Sequence, residues 1–304
     1  MKEPPLLLGA IEGGGSKFLC ALGVPGRDFL ESTNVPTGEP QATLDACVEF
    51  FMGAQRRHGT ITALGVACFG PLQTDPNAAD YGCVLNTPKA GWSGFHLLGK
   101  LRAALGVPVA LDTDVGAAAQ AEWRLGAGRD SGSLVYVTVG TGIGGACAPE
   151  LPYRRLMHAE MGHLPMRSDP RDAGFAGTCP FHGSCAEGLA SGPAILARWG
   201  QNLESLPVEH PGRDLIAGYL GQLTASIALL LSPHRIVLGG GVMNDTTMLD
   251  RVRTATHEYL QDYLPPLRTR ASFDSFLRAP ELGTRSGLVG ALLLAGAAAG
   301  AKHK

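Results

Sequence analysis

The sequence predicts an α/β protein built of two related lobes with a cleft between them. Two observations carry that expectation. Short apolar runs alternate with longer amphipathic segments along most of the chain, and a glycine-rich hairpin between two strands occurs twice, at residues 12–17 and 140–145. Alternating strands and helices build a sheet covered by helices. The repeated hairpin marks a repeated half. The expected boundary falls near residue 115, with a smaller lobe over 1–115 and a larger one over 116–285. A last helix over about 286–304 is expected to pack back on the first lobe.

Residues 6–11 are an apolar run ending in Glu12-Gly13-Gly14-Gly15-Ser16-Lys17, and residues 18–24 resume as a second strand before Pro25-Gly26. Strand, glycine turn and strand make a hairpin. That excludes a Walker loop and a dinucleotide-binding fingerprint, in both of which the glycine loop opens a helix. Such a hairpin can offer backbone N–H groups to a phosphate, with Ser16 and Lys17 adding a hydroxyl and a cation, or it can be only a tight turn. Residues 42–58 form an amphipathic helix, with Leu44, Cys47, Val48 and Phe51 near helical spacing. Residues 64–69 are a strand running into Gly70-Pro71. The loop-rich segment 75–93 holds T-P-K-A-G-W at 87–92, and long loops in compact domains are usually functional. Residues 95–105 are a helix closed by Gly106 and Pro108, and 107–111 a strand with Asp112-Thr113-Asp114 at its carboxyl end.

Residues 117–125 are an alanine-rich helix, which Asp114 could serve as N-cap. A strand over 133–139 delivers Gly140-Thr141-Gly142-Ile143-Gly144-Gly145, with 146–148 as its hairpin partner. Helices follow over 193–199 and 212–231, then a strand over 235–238 into Gly239-Gly240-Gly241. A helix near 247–263, a short strand over 279–282 and a buried helix over 286–299 complete the chain.

Composition narrows the function. The 304 residues are 45% hydrophobic and 17% charged, with a formal net charge of −2 and no basic tract, which argues against nucleic-acid binding and polybasic membrane contact. The start carries no signal-peptide pattern, and the apolar stretches 225–231 and 288–299 are shorter than a bilayer span of roughly 20 residues. Five of the seven cysteines, Cys20, Cys47, Cys68, Cys83 and Cys147, read as reduced small hydrophobes, so the expected compartment is the cytoplasm.

The densest chemistry lies in the loop 158–192. His163 precedes Cys179, His182 and Cys185, the last three spaced C-x-x-H-x-x-C. Two thiols and two imidazoles make a closed tetrahedral set for a structural zinc ion, with His158 as an available substitute. Glu160 and Glu187 are interleaved with them. Zinc does not require these acids, so the metal is expected to hold a substrate site in shape.

In their order, E-G-G-G-S-K, F-G-P, T-P-K-A-G-W, D-T-D-V, T-V-G-T-G-I-G-G, H-A-E-M-G-H, the knuckle, E-G-L-A-S-G-P-A and L-G-G-G-V-M resemble the ROK family of repressors, open reading frames and sugar kinases. The resemblance spans nearly the whole chain, and H-x-E-M-G-H with C-P-F-H-G-x-C is similar to its bacterial fructokinase branch. It implies the two-lobed actin-like, ribonuclease-H-like ATPase fold with a zinc-binding loop. It also implies ATP-dependent phosphorylation of a hexose, fructose to fructose 6-phosphate, with Mg²⁺ accompanying ATP, and a homodimer.

Residue by residue, the resemblance makes Asp114 the general base. It puts Glu12, Gly13, Gly14, Gly15, Ser16, Lys17, Thr138, Gly140, Thr141, Gly142 and Gly144 around the phosphates, with Glu12 orienting water on magnesium. Gly239, Gly240 and Gly241 lie along the adenosine. Thr113, Glu160, His163, Glu187, Gly70, Pro71, Lys89 and Gly91 fall on the sugar side, whereas Trp92 can equally be surface packing. The chain departs from the family at Gly116, where an Asn is usual, and at P-E-L-P-Y-R-R over 149–155, where a glycine turn is common. Relatives that are repressors carry a DNA-binding domain ahead of the first hairpin, whereas eleven residues precede Glu12 here. Other hexoses, mannose included, and a non-catalytic sugar sensor are the alternatives.

Overall fold

The computed structural model describes residues 6–150 and 156–300, which fall into two compact units. The first holds the described residues up to Ala121, then 156–158 and those from Arg285 on. The second holds the rest.

The first unit opens with β1 (Leu8–Gly13), β2 (Lys17–Gly23) and β3 (Glu31–Pro36), followed by α1 (Pro40–His58), β4 (Ala63–Cys68), α2 (Leu97–Leu105), β5 (Val109–Thr113) and α3 (Asp114–Leu125). Its sheet has the order β3-β2-β1-β4-β5, with β1, β4 and β5 parallel and β2 antiparallel to both neighbours. All six residues of β4 are buried, as a central parallel strand requires. The edge strand β3 buries only Val35, so apolar periodicity gives no sign of it. Helix α1 is capped by the Glu39 side chain, which accepts the Ala42 N–H, and ends in Arg56, Arg57 and His58, cations suited to a helix C-terminus.

In the second unit come β6 (Leu134–Val139), β7 (Ile143–Ala148), α4 (Ala186–Ala190), α5 (Gly192–Trp199), α6 (Gly212–Leu231), β8 (Arg235–Gly239), α7 (Met248–Leu260), α8 (Arg270–Phe276) and β9 (Leu277–Arg278). The order β7-β6-β8-β9 repeats the plan β2-β1-β4-β5 of the first unit: an antiparallel hairpin, then two parallel neighbours. The chain then returns to the first unit as α9 (Ser286–Gly300), which packs on β1, β4 and β5. By length and composition α6 could cross a membrane, a possibility that counting its apolar stretch alone underrates. It is 61% buried and packs against α7 and α4, the position of a core helix.

Besides the unexpected β3 and the earlier start of α3 at Asp114, three elements differ from expectation. The final strand is Leu277–Arg278, not 279–282, because Pro280 interrupts that run and the N–H groups of Glu281 and Leu282 donate to the Glu122 carboxylate at 3.1 and 3.0 Å. Helix α8 has no apolar stripe to announce it; its signal is a capping box between Thr269 and Ser272. Helix α4 is a five-residue turn inside the cysteine-histidine loop. Leu151 to Arg155, part of the departing run over 149–155, and residues 301–304 of the last expected helix lie outside the described residues.

Candidate active site

In the first unit the residues singled out by sequence gather at the carboxyl ends of β1, β4 and β5. Parallel strands end there together, and loops emerging from them bring distant side chains to one edge. Glu12 and Gly13 close β1, and Gly14 donates its N–H to the Lys17 carbonyl at 2.8 Å. Gly15, Ser16 and Lys17 are exposed at the tip, and Lys89 Nζ donates to the Gly15 carbonyl at 3.1 Å while lying 4.8 Å from the Phe69 ring centre. Gly91, exposed with φ 79°, precedes Trp92. Trp92 is neither a surface residue nor open to a ligand. It is 1% exposed, stacks on Phe18 at 5.3 Å and donates its indole N–H to the Gly38 carbonyl.

Asp114 is the first residue of α3. The cap is Thr113: its Oγ1 accepts the Gly116 N–H at 3.0 Å, which commits the buried Thr113 hydroxyl oxygen to the helix end. Asp114 Oδ1 accepts the adjacent Val115 N–H at 2.9 Å. Burial raises its carboxyl above the ordinary range, while the Val115 N–H and the Lys89 charge pull the other way. Burial likewise lowers Lys89. Glu12 is pushed up to about 7, first by burial and then by the Asp114 charge, against the Leu288 N–H and Lys17. The two carboxyls form an acidic pair whose charge a cation would relieve.

The departure at Gly116 has a local cause. A Cβ there would stand 2.5 Å from Asp112 Oδ2, so the Asp112 carboxylate already fills the volume of a side chain. His158 is also accounted for. Its Nε2 accepts the Leu72 N–H at 3.0 Å, and its ring lies where a Cβ on Gly70 would be 3.1 Å away, beside Pro71. It belongs to the first unit, and the four ligand atoms that lie together are those of His163, Cys179, His182 and Cys185.

The second unit carries the other glycine motifs. Thr138 on β6 pairs with Gly144 and Gly239, and Gly140 at the end of that strand donates to the Gly142 carbonyl and accepts from Gly192, both at 2.8 Å. Thr141 is exposed at the turn. Gly240, at φ 91°, and Gly241 follow β8, and a Cβ on Gly140 would lie 4.0 Å from the Gly241 N. Both glycine segments therefore close one edge of this sheet.

Beside them His163, Cys179, His182 and Cys185 bring their ligand atoms within 4.8 Å of one another. His163 Nδ1 lies 3.7 Å from Cys179 Sγ, 3.6 Å from Cys185 Sγ and 3.3 Å from His182 Nδ1. Metal bonds of about 2.3 Å to sulfur and 2.05 Å to nitrogen, arranged tetrahedrally, give S···N near 3.6 Å and N···N near 3.3 Å. The cluster has the dimensions of one tetrahedral shell. Burial pushes the Cys185 thiol up to about 11, so a cation would be needed to hold it as a thiolate. The other ring nitrogen of His163, Nε2, is 4.0 Å from Glu160 Oε2. Glu187 Oε2 accepts the Ile143 N–H at 2.9 Å, a contact across 44 residues that nothing in the sequence announces.

The sequence profile of the ROK family matches residues 8–298. The chain belongs to the ROK family. Over 303 residues it is 42% identical to the fructokinase of Zymomonas mobilis, covering 98% of this chain and 99% of that one. It is 36% identical to the fructokinase of Pediococcus pentosaceus over 296 residues, 96% of this chain and 99% of that one. Among solved structures it is similar to the ROK hexokinase of Thermus thermophilus, with a TM-score of 0.74 and 27% identity, covering 98% of this chain and 100% of that chain. The fold is therefore that of the actin-like ATPases with two sheets, as such ROK kinases have.

Proposed function

We propose that this ROK family chain is an ATP-dependent fructokinase that forms fructose 6-phosphate, with Asp114 as the general base. The observation that supports the role of Asp114 is its place directly after β5, where Thr113 performs the capping that Asp114 could have performed. The kinship to fructokinases over nearly the whole chain supports the sugar.

Asp114 accepts the proton of the sugar's 6-hydroxyl as that oxygen attacks the γ-phosphorus, and the bond to the bridging oxygen of the β-phosphate breaks to leave ADP. Phosphoryl transfer asks the protein mainly for positioning and charge neutralisation. Residues 12–17 and Thr138, Gly140, Thr141, Gly142 and Gly144 present the hairpin backbones to the phosphates, and 239–241 lie along the adenosine. Lys89 steadies the first hairpin through the Gly15 carbonyl. Glu160, His163 and Glu187 hydrogen-bond sugar hydroxyls, with Gly70, Pro71 and Gly91 lining the sugar side. Mg²⁺ bound with ATP supplies charge neutralisation, and the Glu12–Asp114 pair suits its approach. His163, Cys179, His182 and Cys185 would hold a structural zinc ion, which would keep the loop in shape, and His163 Nε2 lies 4.0 Å from Glu160 Oε2.

The test is initial rates of MgATP consumption with fructose, glucose, mannose and N-acetylmannosamine, run beside Asp114→Asn. Fructose is expected to lead, and the variant to lose about 10²–10⁴-fold in kcat. Turnover of no hexose by the wild type, or an Asp114→Asn variant within threefold of it, overturns the assignment.

A further inference from the structure

The Glu187 carboxylate lies against the second glycine hairpin. Its Oε2 accepts the Ile143 N–H at 2.9 Å, and the same oxygen stands 2.6 Å from where a Cβ on Gly142 would be. Gly142 thus has to be glycine for Glu187 to reach the strand. The hairpin's other tie is Gly192, whose N–H donates to the Gly140 carbonyl at 2.8 Å. Glu187 and Gly192 flank the short turn from α4 into α5, so this one segment grips both shoulders of the hairpin. Upstream, Cys185 begins α4, its Sγ accepting the Gly188 N–H at 3.4 Å.

We infer that Glu187 is a positioning residue for the nucleotide, holding residues 140–143 in their phosphate-ready shape whether or not sugar is bound. The inference rests on the reading of that hairpin as a phosphate loop, and it goes beyond a sugar contact. A side-chain acceptor on the amide of a buried residue spares that amide the cost of going unpaired. Without it the Ile143 N–H has no partner, and the turn that presents the neighbouring amides loses its brace. Through Cys185 and the first turn of α4, the same brace joins the cysteine-histidine cluster to the nucleotide side of the unit.

The probe is MgADP titrated without any sugar, measured by calorimetry on wild type, Glu187→Ala and Glu187→Gln, with exchange of the Ile143 amide read alongside. A residue that only touched sugar would leave both readouts unchanged. The expected result is about tenfold weaker MgADP binding for Glu187→Ala, or about 1.4 kcal/mol, together with lost protection at Ile143. Glu187→Gln keeps a carbonyl acceptor and is expected to retain both. If Glu187→Ala does not fold, Glu187→Asp, one methylene short of Ile143, carries the same expectation. Sugar-free MgADP binding within twofold of wild type in these shortened variants overturns the inference. Failure of the wild type to bind MgADP would overturn the kinase reading itself, and the inference with it.

Discussion

Glu122 offers the sharpest test of what holds the second unit together. Its side chain is 0% exposed, and its carboxylate accepts three backbone N–H groups: Ala127 at 2.8 Å, Glu281 at 3.1 Å and Leu282 at 3.0 Å. The carboxylate closes the turn after α3 and fixes the segment before α9 in one stroke. Glu122→Ala strands those three donors. Each unsatisfied buried group costs about 1–3 kcal/mol. Allowing for some relaxation and water entry, the loss should be about 3–5 kcal/mol. With a urea m-value of about 2–3 kcal/mol/M, that lowers the midpoint of the second unit by about 1–2 M. Two of the three tryptophans, Trp123 and Trp199, are in that unit and report the transition by fluorescence. Arg129 pairs with Glu281 at 2.7 Å on the surface, so Arg129→Ala tests the same segment through an exposed pair. That control should cost at most about 1 kcal/mol, as exposed pairs do. A Glu122→Ala midpoint no lower than that of Arg129→Ala would refute the idea that the carboxylate holds this junction.

Two further outcomes follow from the site. In the proposed role Asp114 has to be ionised to accept a proton, and burial raises its carboxyl, so kcat/KM should fall on the acid side at a pH above the ordinary carboxylate range. Because the Lys89 charge lowers that value, Lys89→Met should move the acid limb to higher pH, read from pH–rate profiles; an unmoved limb would remove Lys89 from the environment of Asp114. On the proposed zinc site, a chelator should expose the two thiols of Cys179 and Cys185 to a disulfide reagent and release about one zinc per chain. Fructose and MgADP binding should both weaken, the latter through Glu187. Wild-type affinity in a protein measured to be metal-free would refute the coupling.

The parts of the fold that were legible are those where burial has a simple period. Helices α6 and α9 are apolar over long runs, and β4 and β6 are short apolar blocks, so these were found within a residue or two. The glycine hairpins and the cysteine-histidine spacing were legible because backbone turns and metal shells demand particular residue types at short range. What stayed hidden is long-range or polar. The edge strand β3 has no apolar stripe. His158 looks like a spare ligand in sequence, whereas its Nε2 accepts the Leu72 N–H from 86 residues away. The exchange of capping duty between Thr113 and Asp114 turns on one hydroxyl's direction, which residue type alone does not give.

A common arrangement links the contacts that sequence could not show. Four times an acid lies where a glycine has no side chain: Glu12 against Gly287, Asp112 against Gly116, Glu122 against Gly126 and Glu187 against Gly142. In each case the missing Cβ is what admits the carboxylate to the backbone, and in three of them that backbone supplies N–H donors. Glu12 receives Leu288 at the start of α9, Glu122 the turn after α3, and Glu187 the hairpin at Ile143. The glycines and the acids are therefore one feature read from two places in the chain. Read alone, such a glycine looks like flexibility, and such an acid looks like a ligand-binding charge. Gly116 shows the consequence. Judged by the family pattern it is a lost polar contact, but the space is held by Asp112, and an Asn introduced there would have to displace that carboxylate before it could reach a sugar.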